Sequence, residues 1–271
     1  MELSGKRLFL FDIDGTLAVG DTLLPGARAL LAHIGATGGQ SLFITNNSTK
    51  SRDDYVHRFQ TVFGLETQTS QFVTASYVAA RALHVRFGDR PVYAQGTRSF
   101  LAELRAFGVQ ARDEAMDRSA CIVVGYDSEL TYEKLCRTAR LLQETDAPFF
   151  ATNPDLRCPA PFGFIPDCGA ICRMLTDTTG REPVYFGKPA ADVVTLCMEQ
   201  AGCTPAETLV VGDRLYTDIA CGLNAGVDTC LLLSGEAQRA DLTDTPFPPD
   251  LVLDGPQALL EALRAGAEIC R

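Results

Sequence analysis

A chain of 271 residues, 46% of them hydrophobic, is long enough to bury a sizeable core, and it predicts a globular protein of one large or two modest domains. Lys and Arg total 24 against 34 Asp and Glu, and the formal charge of -10 repels phosphate backbones and anionic headgroups, which argues against nucleic-acid and membrane partners. The apolar run Leu8 to Phe11 is too short for a signal-peptide core and nothing approaches a spanning helix, so the ten scattered cysteines predict reduced thiols in a cytoplasmic protein.

Lys6 to Asp12 reads as a short apolar strand, and Leu23 to Ile34 as a helix opened by Pro25. Ser41 to Thr45 is a second strand and Ser51 to Phe63 a second helix, closed by Gly64. In the middle of the chain, strands are expected at 91–94, 121–125 and 149–152, enough for a second small α/β unit over residues 83–185. Lys188 to Ala201 has helical spacing, with Pro189 suited to its first position and Gly202 just past its end. Thr204, Pro205 and Glu207 form a capping box for one short turn. Strand Leu209 to Val211, helix Thr217 to Asn224 and strand Thr229 to Leu233 follow, and the Pro-rich segment from Thr243 to Pro249 reads as a surface loop. Alternating strands and helices predict an α/β fold with a parallel sheet covered by helices.

Three strand ends carry chemistry. Asp12 and Asp14 close the first strand, two residues apart, and Gly15 lets the chain turn away beside them. Thr45, Asn46 and Asn47 end the second strand, and Gly212 and Asp213 end another, with Asp218 five residues on. Open α/β sheets bind ligands at such carboxyl ends. Each element also has a structural reading: Asp14-Gly15 as a turn, Thr45, Asn47, Asp213 or Asp218 as helix caps, and Lys188 as a solvated lysine. Converging carboxylates repel one another unless a cation is present, and oxygen ligands suit magnesium. A phosphoryl group needs donors and a fixed positive charge, which Thr45, nearby amides and Lys188 can supply.

The run Asp12-Ile13-Asp14-Gly15-Thr16, Thr45 after an apolar strand, Gly187-Lys188-Pro189, and Gly212-Asp213 with Asp218 resemble, in order, the four motifs of haloacid dehalogenase superfamily hydrolases. Ile44-Thr45-Asn46-Asn47-Ser48 and the run from Gly212 to Ile219 more narrowly resemble the branch of NagD-type phosphatases, 4-nitrophenylphosphatases and pyridoxal-phosphate phosphatases. The resemblance implies a Rossmann-like core formed by residues 1–82 and 186–271, with an α/β cap of the C2 type inserted as residues 83–185. It implies a magnesium-dependent phosphatase acting on small phosphorylated metabolites of the nucleotide, sugar or aryl phosphate class. Asp12 would be the nucleophile that becomes an aspartyl-phosphate, and Asp14 the acid that then acts as base. Magnesium would sit on the carboxylates of Asp12 and Asp213 and the backbone carbonyl of Asp14, with Asp218 orienting it from behind. Thr45, Asn46, Asn47 and Lys188 would hold the phosphate.

Cap residues bordering the substrate are sought at Asn153, Asp155, Cys158 and Cys168. Relatives of the pyridoxal-phosphate type carry His where Cys158 stands, and the branch usually has Asn or Thr where Cys168 stands, so both positions weaken that substrate reading. His33, His57 and His84 lie away from the motifs. A phosphate-binding protein that has lost catalysis is the alternative of a different class, opposed by the retention of Asp14. The oligomeric state is open, a homodimer included.

Overall fold

A computed structural model describes residues 2–114, 118–160 and 162–266. The chain divides into two compact units, one of Met1–Thr45, Val56–Val73 and Lys188–Arg271, the other of Asn46–Tyr55 and Thr74–Gly187. The boundary expected near residue 83 falls inside one continuous helix, Ala75–Phe87, whose buried face includes Tyr77, Val78, Ala79, Ala80 and Leu83. A helix buried along most of its length gives no place to divide the chain, so the second unit takes it whole.

In the first unit, strands run parallel in the order Leu251–Leu253, Asp228–Leu232, Thr208–Gly212, Leu8–Phe11, Gln40–Thr45, and Phe72–Thr74 completes a six-stranded sheet. Leu8–Phe11 and Thr208–Gly212 are buried at every position, which suits apolar runs lying between two helical layers. The register pairs Leu8 with Thr208 and Gln40, and Phe11 with Val211 and Phe43. From Leu8–Phe11 the chain builds outward first through Gln40–Thr45 and later, on the other side, through Thr208–Gly212. The strand order therefore reverses between Leu8–Phe11 and Thr208–Gly212.

Three expected helices change. A two-stranded hairpin, Ala18–Val19 with Thr22–Leu23, occupies the expected start of the first helix, which runs over Ala27–Ala36 behind Gly26 in the left-handed conformation. The helix expected from Lys188 begins at Asp192, and the Lys188–Pro189 peptide is cis, so Pro189 is not its first residue. Leu215–Ile219 is a π-turn, and only Ala220–Ala225 is α-helix. The capping box forms as expected, with Glu207 Oε2 accepting from Thr204 N at 2.9 Å and from Thr204 Oγ1 at 2.7 Å.

The second unit holds a five-stranded parallel sheet in the order Val184–Tyr185, Phe149–Ala151, Ile122–Val124, Val92–Gln95, Ala111–Arg112. Strand alternation divides its core into two clusters. Val123 and Phe150 pack with Leu83, Phe100 and Leu104, while Ile122, Val124 and Phe149 pack with Leu141, Ile171 and Leu175. Thr74, Thr97 and Thr131 each cap a helix by accepting a backbone N–H three residues on. Both units thus show the expected α/β architecture of parallel sheets flanked by helices.

In the first unit Phe59 sits at the centre of an aromatic cluster, 4.8 Å from Phe43, 4.9 Å from Phe72 and 5.3 Å from Phe63 between ring centroids. It is buried, as are its three partners. Phe59→Ala should cost about 3–5 kcal/mol, from lost burial plus the cavity left behind. Urea denaturation followed by circular dichroism measures this, and a change under about 1 kcal/mol would show that the cluster collapses freely around the smaller side chain.

Candidate active site

The reversal of strand order places two carboxylates side by side in the first unit. Asp12 follows Leu8–Phe11 and still donates its N–H to Val211 O at 2.9 Å, while Asp213 follows Thr208–Gly212. Crevices outside the carboxyl ends of strands at such a reversal are the usual ligand sites of open α/β sheets. Close approach there requires glycine. A Cβ on Gly15, whose φ is 98°, would collide with the Asp213 carboxylate, and one on Gly212 would collide with Asp218.

Lys188 is 2% exposed, not a solvated surface lysine. Its Nζ donates to Asp12 Oδ1 at 2.6 Å, Asp218 Oδ1 at 2.6 Å and Ile44 O at 3.2 Å, which uses all three ammonium hydrogens. Burial opposes its charge, but the two carboxylates outweigh burial and raise its pKa, so it stays protonated. Asp218 is satisfied at both oxygens, since Oδ2 accepts from Arg214 N at 3.0 Å. Asp213 accepts from Glu236 N at 2.7 Å through Oδ2 and from Thr16 Oγ1 at 3.2 Å through Oδ1. Among the described residues no hydrogen bond reaches Asp12 Oδ2.

Asp12, Asp213 and Asp218 each offer an oxygen within 4.8 Å of the others. With one lysine among three carboxylates, two of them buried and Asp12 partly so, the site is short of positive charge. Burial raises Asp12 well above the usual carboxylate range, with the charges of Asp218 and Asp213 adding to it against the pull of Lys188. Burial and then Asp218 push Asp213 up to about 6. Hard oxygen donors crowded in this way fit a divalent cation, which would neutralise the repulsion. Asp12 and Asp213 are the carboxylates that would hold it, because Asp218 is committed to Lys188 and Arg214.

Asp14 lies beyond the strand, with its side chain 41% exposed and Oδ1 3.5 Å from Arg58 Nη2. Thr45 closes its strand, buried, one residue past the carbonyl that Lys188 holds. Asn46 and Asn47 belong to the second unit. There Asn46 Nδ2 donates to Asp155 Oδ2 at 2.6 Å, and Asn47 Oδ1 accepts from Thr49 N at 2.9 Å. Asn153 donates to Asp155 Oδ2 at 2.8 Å and to Asp167 Oδ1 at 3.0 Å. Cys158 lies half-buried in the hairpin of Arg157–Ala160 with Gly163–Pro166. Cys168 opens the helix Cys168–Thr179, and its buried thiol faces Thr152, Val124 O and Cys172. Sequence reasoning missed Thr16 and Arg58. Thr16 was visible inside the first motif, but nothing in the pattern around Arg58 separates it from a solvated helical arginine.

These features define an α/β core with an acidic, lysine-bridged site at a strand reversal. A haloacid dehalogenase-like hydrolase model matches residues 9–110, and a HAD-hydrolase-like model matches residues 185–259. An acid sugar phosphatase of Staphylococcus aureus is 30% identical over 244 residues, 90% of this chain and 92% of the relative. The structure of a 4-nitrophenylphosphatase from Thermotoga maritima superposes with a TM-score of 0.91 at 34% identity, covering 96% of this chain and 98% of that one. A glycerol phosphate phosphatase from Mycobacterium tuberculosis in complex with magnesium gives a TM-score of 0.90 at 26% identity, covering 100% of this chain and 82% of that one. The chain belongs to the haloacid dehalogenase-like hydrolase family. Its likeness to the 4-nitrophenylphosphatase bears out the branch expected from the motifs.

The carboxylate shifts have a pH signature. Asp213, raised to about 6 without a cation, binds its proton more tightly in the folded than in the unfolded chain, and Asp12 shifts in the same direction. Stability from this source is full below the ordinary carboxylate pKa of about 4 and is lost as pH rises through about 6. A bound divalent cation offsets that loss, so the gain in Tm from magnesium chloride over EDTA should grow between about pH 5 and about pH 7.5. Thermal melts at both pH values measure it, and a gain that shrinks as pH rises would contradict the electrostatic account.

Proposed function

We propose that the protein is a magnesium-dependent phosphatase that hydrolyses small phosphate monoesters through a phosphoryl group carried on Asp12. The observation that carries this reading is the state of Asp12. One of its oxygens is fixed at 2.6 Å by a buried ammonium, and no hydrogen bond from the described residues reaches the other. A carboxylate held by one oxygen at the mouth of a crevice suits attack by the second, and a lysine beside it offsets repulsion between the attacking carboxylate and a phosphate dianion.

In the first step Asp12 Oδ2 bonds to phosphorus as the ester P–O bond breaks, and Asp14 gives its proton to the departing oxygen. In the second, water attacks phosphorus and passes a proton to Asp14 while the bond to Asp12 breaks, which releases phosphate and restores the Asp12 carboxylate and the protonated Asp14. Thr45 holds a non-bridging oxygen of the transferring group, and the ammonium of Lys188 offsets the negative charge of that group. Magnesium, held by Asp12, Asp213 and the Asp14 carbonyl, would neutralise charge on the phosphoryl oxygens. The Asp218 carboxylate keeps Lys188 aligned and protonated.

The second compact unit serves in this reading as the cap of the family, braced internally through Asn46, Asn153, Asp155 and Asp167. The names of the relatives support sugar, aryl or glycerol phosphates as the substrate class. The nine described cysteines are free thiols, which supports a cytoplasmic setting.

Asp12→Asn should lower magnesium-dependent phosphate release from 4-nitrophenyl phosphate on the order of 10⁴-fold or more, because the covalent route is closed. Far-ultraviolet circular dichroism should be unchanged. Activity within tenfold of wild type in the folded variant would sink the nucleophile assignment.

A further inference from the structure

The turn that carries Asp14 and the hairpin behind it form one hydrogen-bonded piece. Gly15 N donates to Ala18 O at 2.8 Å, and Leu17 N and Ala18 N donate to Ile13 O at 2.9 and 3.0 Å. Val19 then pairs with Thr22 across the two-residue tip Gly20-Asp21. A displacement of this tip is therefore transmitted to the backbone on either side of Asp14.

Arg58 seizes the piece at both ends. It projects from the helix Arg52–Thr61, and its Nη2 donates to Gly20 O at 2.6 Å while lying 3.5 Å from Asp14 Oδ1 and 4.0 Å from Asp21 Oδ1. The guanidinium is centred 5.1 Å from the ring of Phe63, which is itself buried in the aromatic cluster of the first unit. The Arg58 side chain is 14% exposed, against 41% for Asp14, so an anchored cation holds a carboxylate that is otherwise open to solvent. An exposed ion pair alone would do little. The short bond to a backbone carbonyl and the aromatic seat set this one apart.

We infer that Arg58 is a positioning residue for phosphoryl transfer, pinning the tip of the hairpin and holding the Asp14 carboxylate in the orientation from which it exchanges its proton. This rests on the reading of Asp14 as the acid that protonates the leaving oxygen. Both contacts are made from Nη2, and the planar guanidinium is seated on the Phe63 ring, a stacking that a lysine ammonium in the same place would not reproduce.

The test uses the basicity of the leaving group. A misplaced acid hurts expulsion of an alkoxide, which needs the proton, and hardly affects a dinitrophenolate, which does not. The ratio kcat/KM reports the step in which that group departs, so it is measured for glycerol 1-phosphate and for 2,4-dinitrophenyl phosphate with magnesium present. Arg58→Met should lower the alkyl value on the order of 10²-fold and the aryl value by less than roughly threefold. Arg58→Lys should narrow the split by recovering part of the alkyl value, and Asp14→Asn should show a larger split than Arg58→Met. Should Arg58→Met fail to fold, Arg58→Gln, which keeps a donor but no charge, is read by the same ratio. Equal losses on both substrates in the folded Arg58 variants, with the split present in Asp14→Asn, would overturn the role of Arg58 and leave the phosphatase reading intact. No split in Asp14→Asn would remove the acid role of Asp14 and the inference with it.

Discussion

The ammonium of Lys188, buried between Asp12 and Asp218, is the interaction on which the rest of the site depends. Taking one cation and two anions out of water is costly, and their attraction repays the cost only where geometry is close and no donor is left over. Here both contacts are 2.6 Å and the third hydrogen goes to Ile44 O. The lysine compensates one carboxylate fully, whereas the cluster contains three. Burial foremost, with the repulsion between carboxylates adding to it, shifts Asp12 and Asp213 upward, so a core of this kind holds a standing demand for a divalent cation.

That demand can be met because the sheet delivers the carboxylates from opposite sides of its strand reversal. Leu8–Phe11 and Thr208–Gly212 are neighbours in space and nearly two hundred residues apart in sequence, so their ends approach only when the parallel pairing is complete. The loop after Asp228–Leu232 then closes around Asp213. Glu236 N donates to its carboxylate, Ala237 N donates to its carbonyl at 3.1 Å, and Ser234 Oγ donates to Gly15 O at 2.8 Å. Three strand ends, two of them far from each other in sequence, are thereby tied into one rigid rim.

Much of this was legible in the sequence, for identifiable reasons. Strands buried on both faces are continuous apolar runs, so Leu8 to Phe11 and Leu209 to Val211 stood out, and the Thr204 to Glu207 box declared its turn through side-chain chemistry alone. The failures occur where distant contacts override local preference. Pro189 has the right neighbours to open a helix, yet the backbone at Lys188 is set by carboxylates 176 and 30 residues away. Thr217 to Asn224 has helical composition, but Asp218 turns back to Arg214 N and the chain winds wider there. The hairpin of Ala18–Val19 with Thr22–Leu23 has strands of two residues, too few to show any period. Arg58 was invisible because its meaning lies in the carbonyl of Gly20, a partner that no spacing rule connects to it.

The motif around Thr45 contains a division that its sequence conceals. Thr45 completes a strand of the first unit, whereas the residues after it are bound into the second. Ser48 Oγ accepts from Tyr126 N at 2.8 Å and lies 2.9 Å from Thr152 Oγ1, Ser48 O accepts from Ser76 Oγ at 3.3 Å, and Thr49 O accepts from Thr97 Oγ1 at 3.1 Å. Asn46 holds the Asp155 carboxylate that Asn153 also holds. Ser48, Thr152, Asn153 and Asp155 are buried, so removing one leaves its partner unsatisfied at about 1–3 kcal/mol, a strong constraint on a segment with little apolar surface of its own. A run of small polar residues that reads as one phosphate-binding motif therefore does two separable things. Its first residue ends a strand of the lysine-bridged core, and the residues after it lock the crossing segment into the second unit by hydrogen bonds.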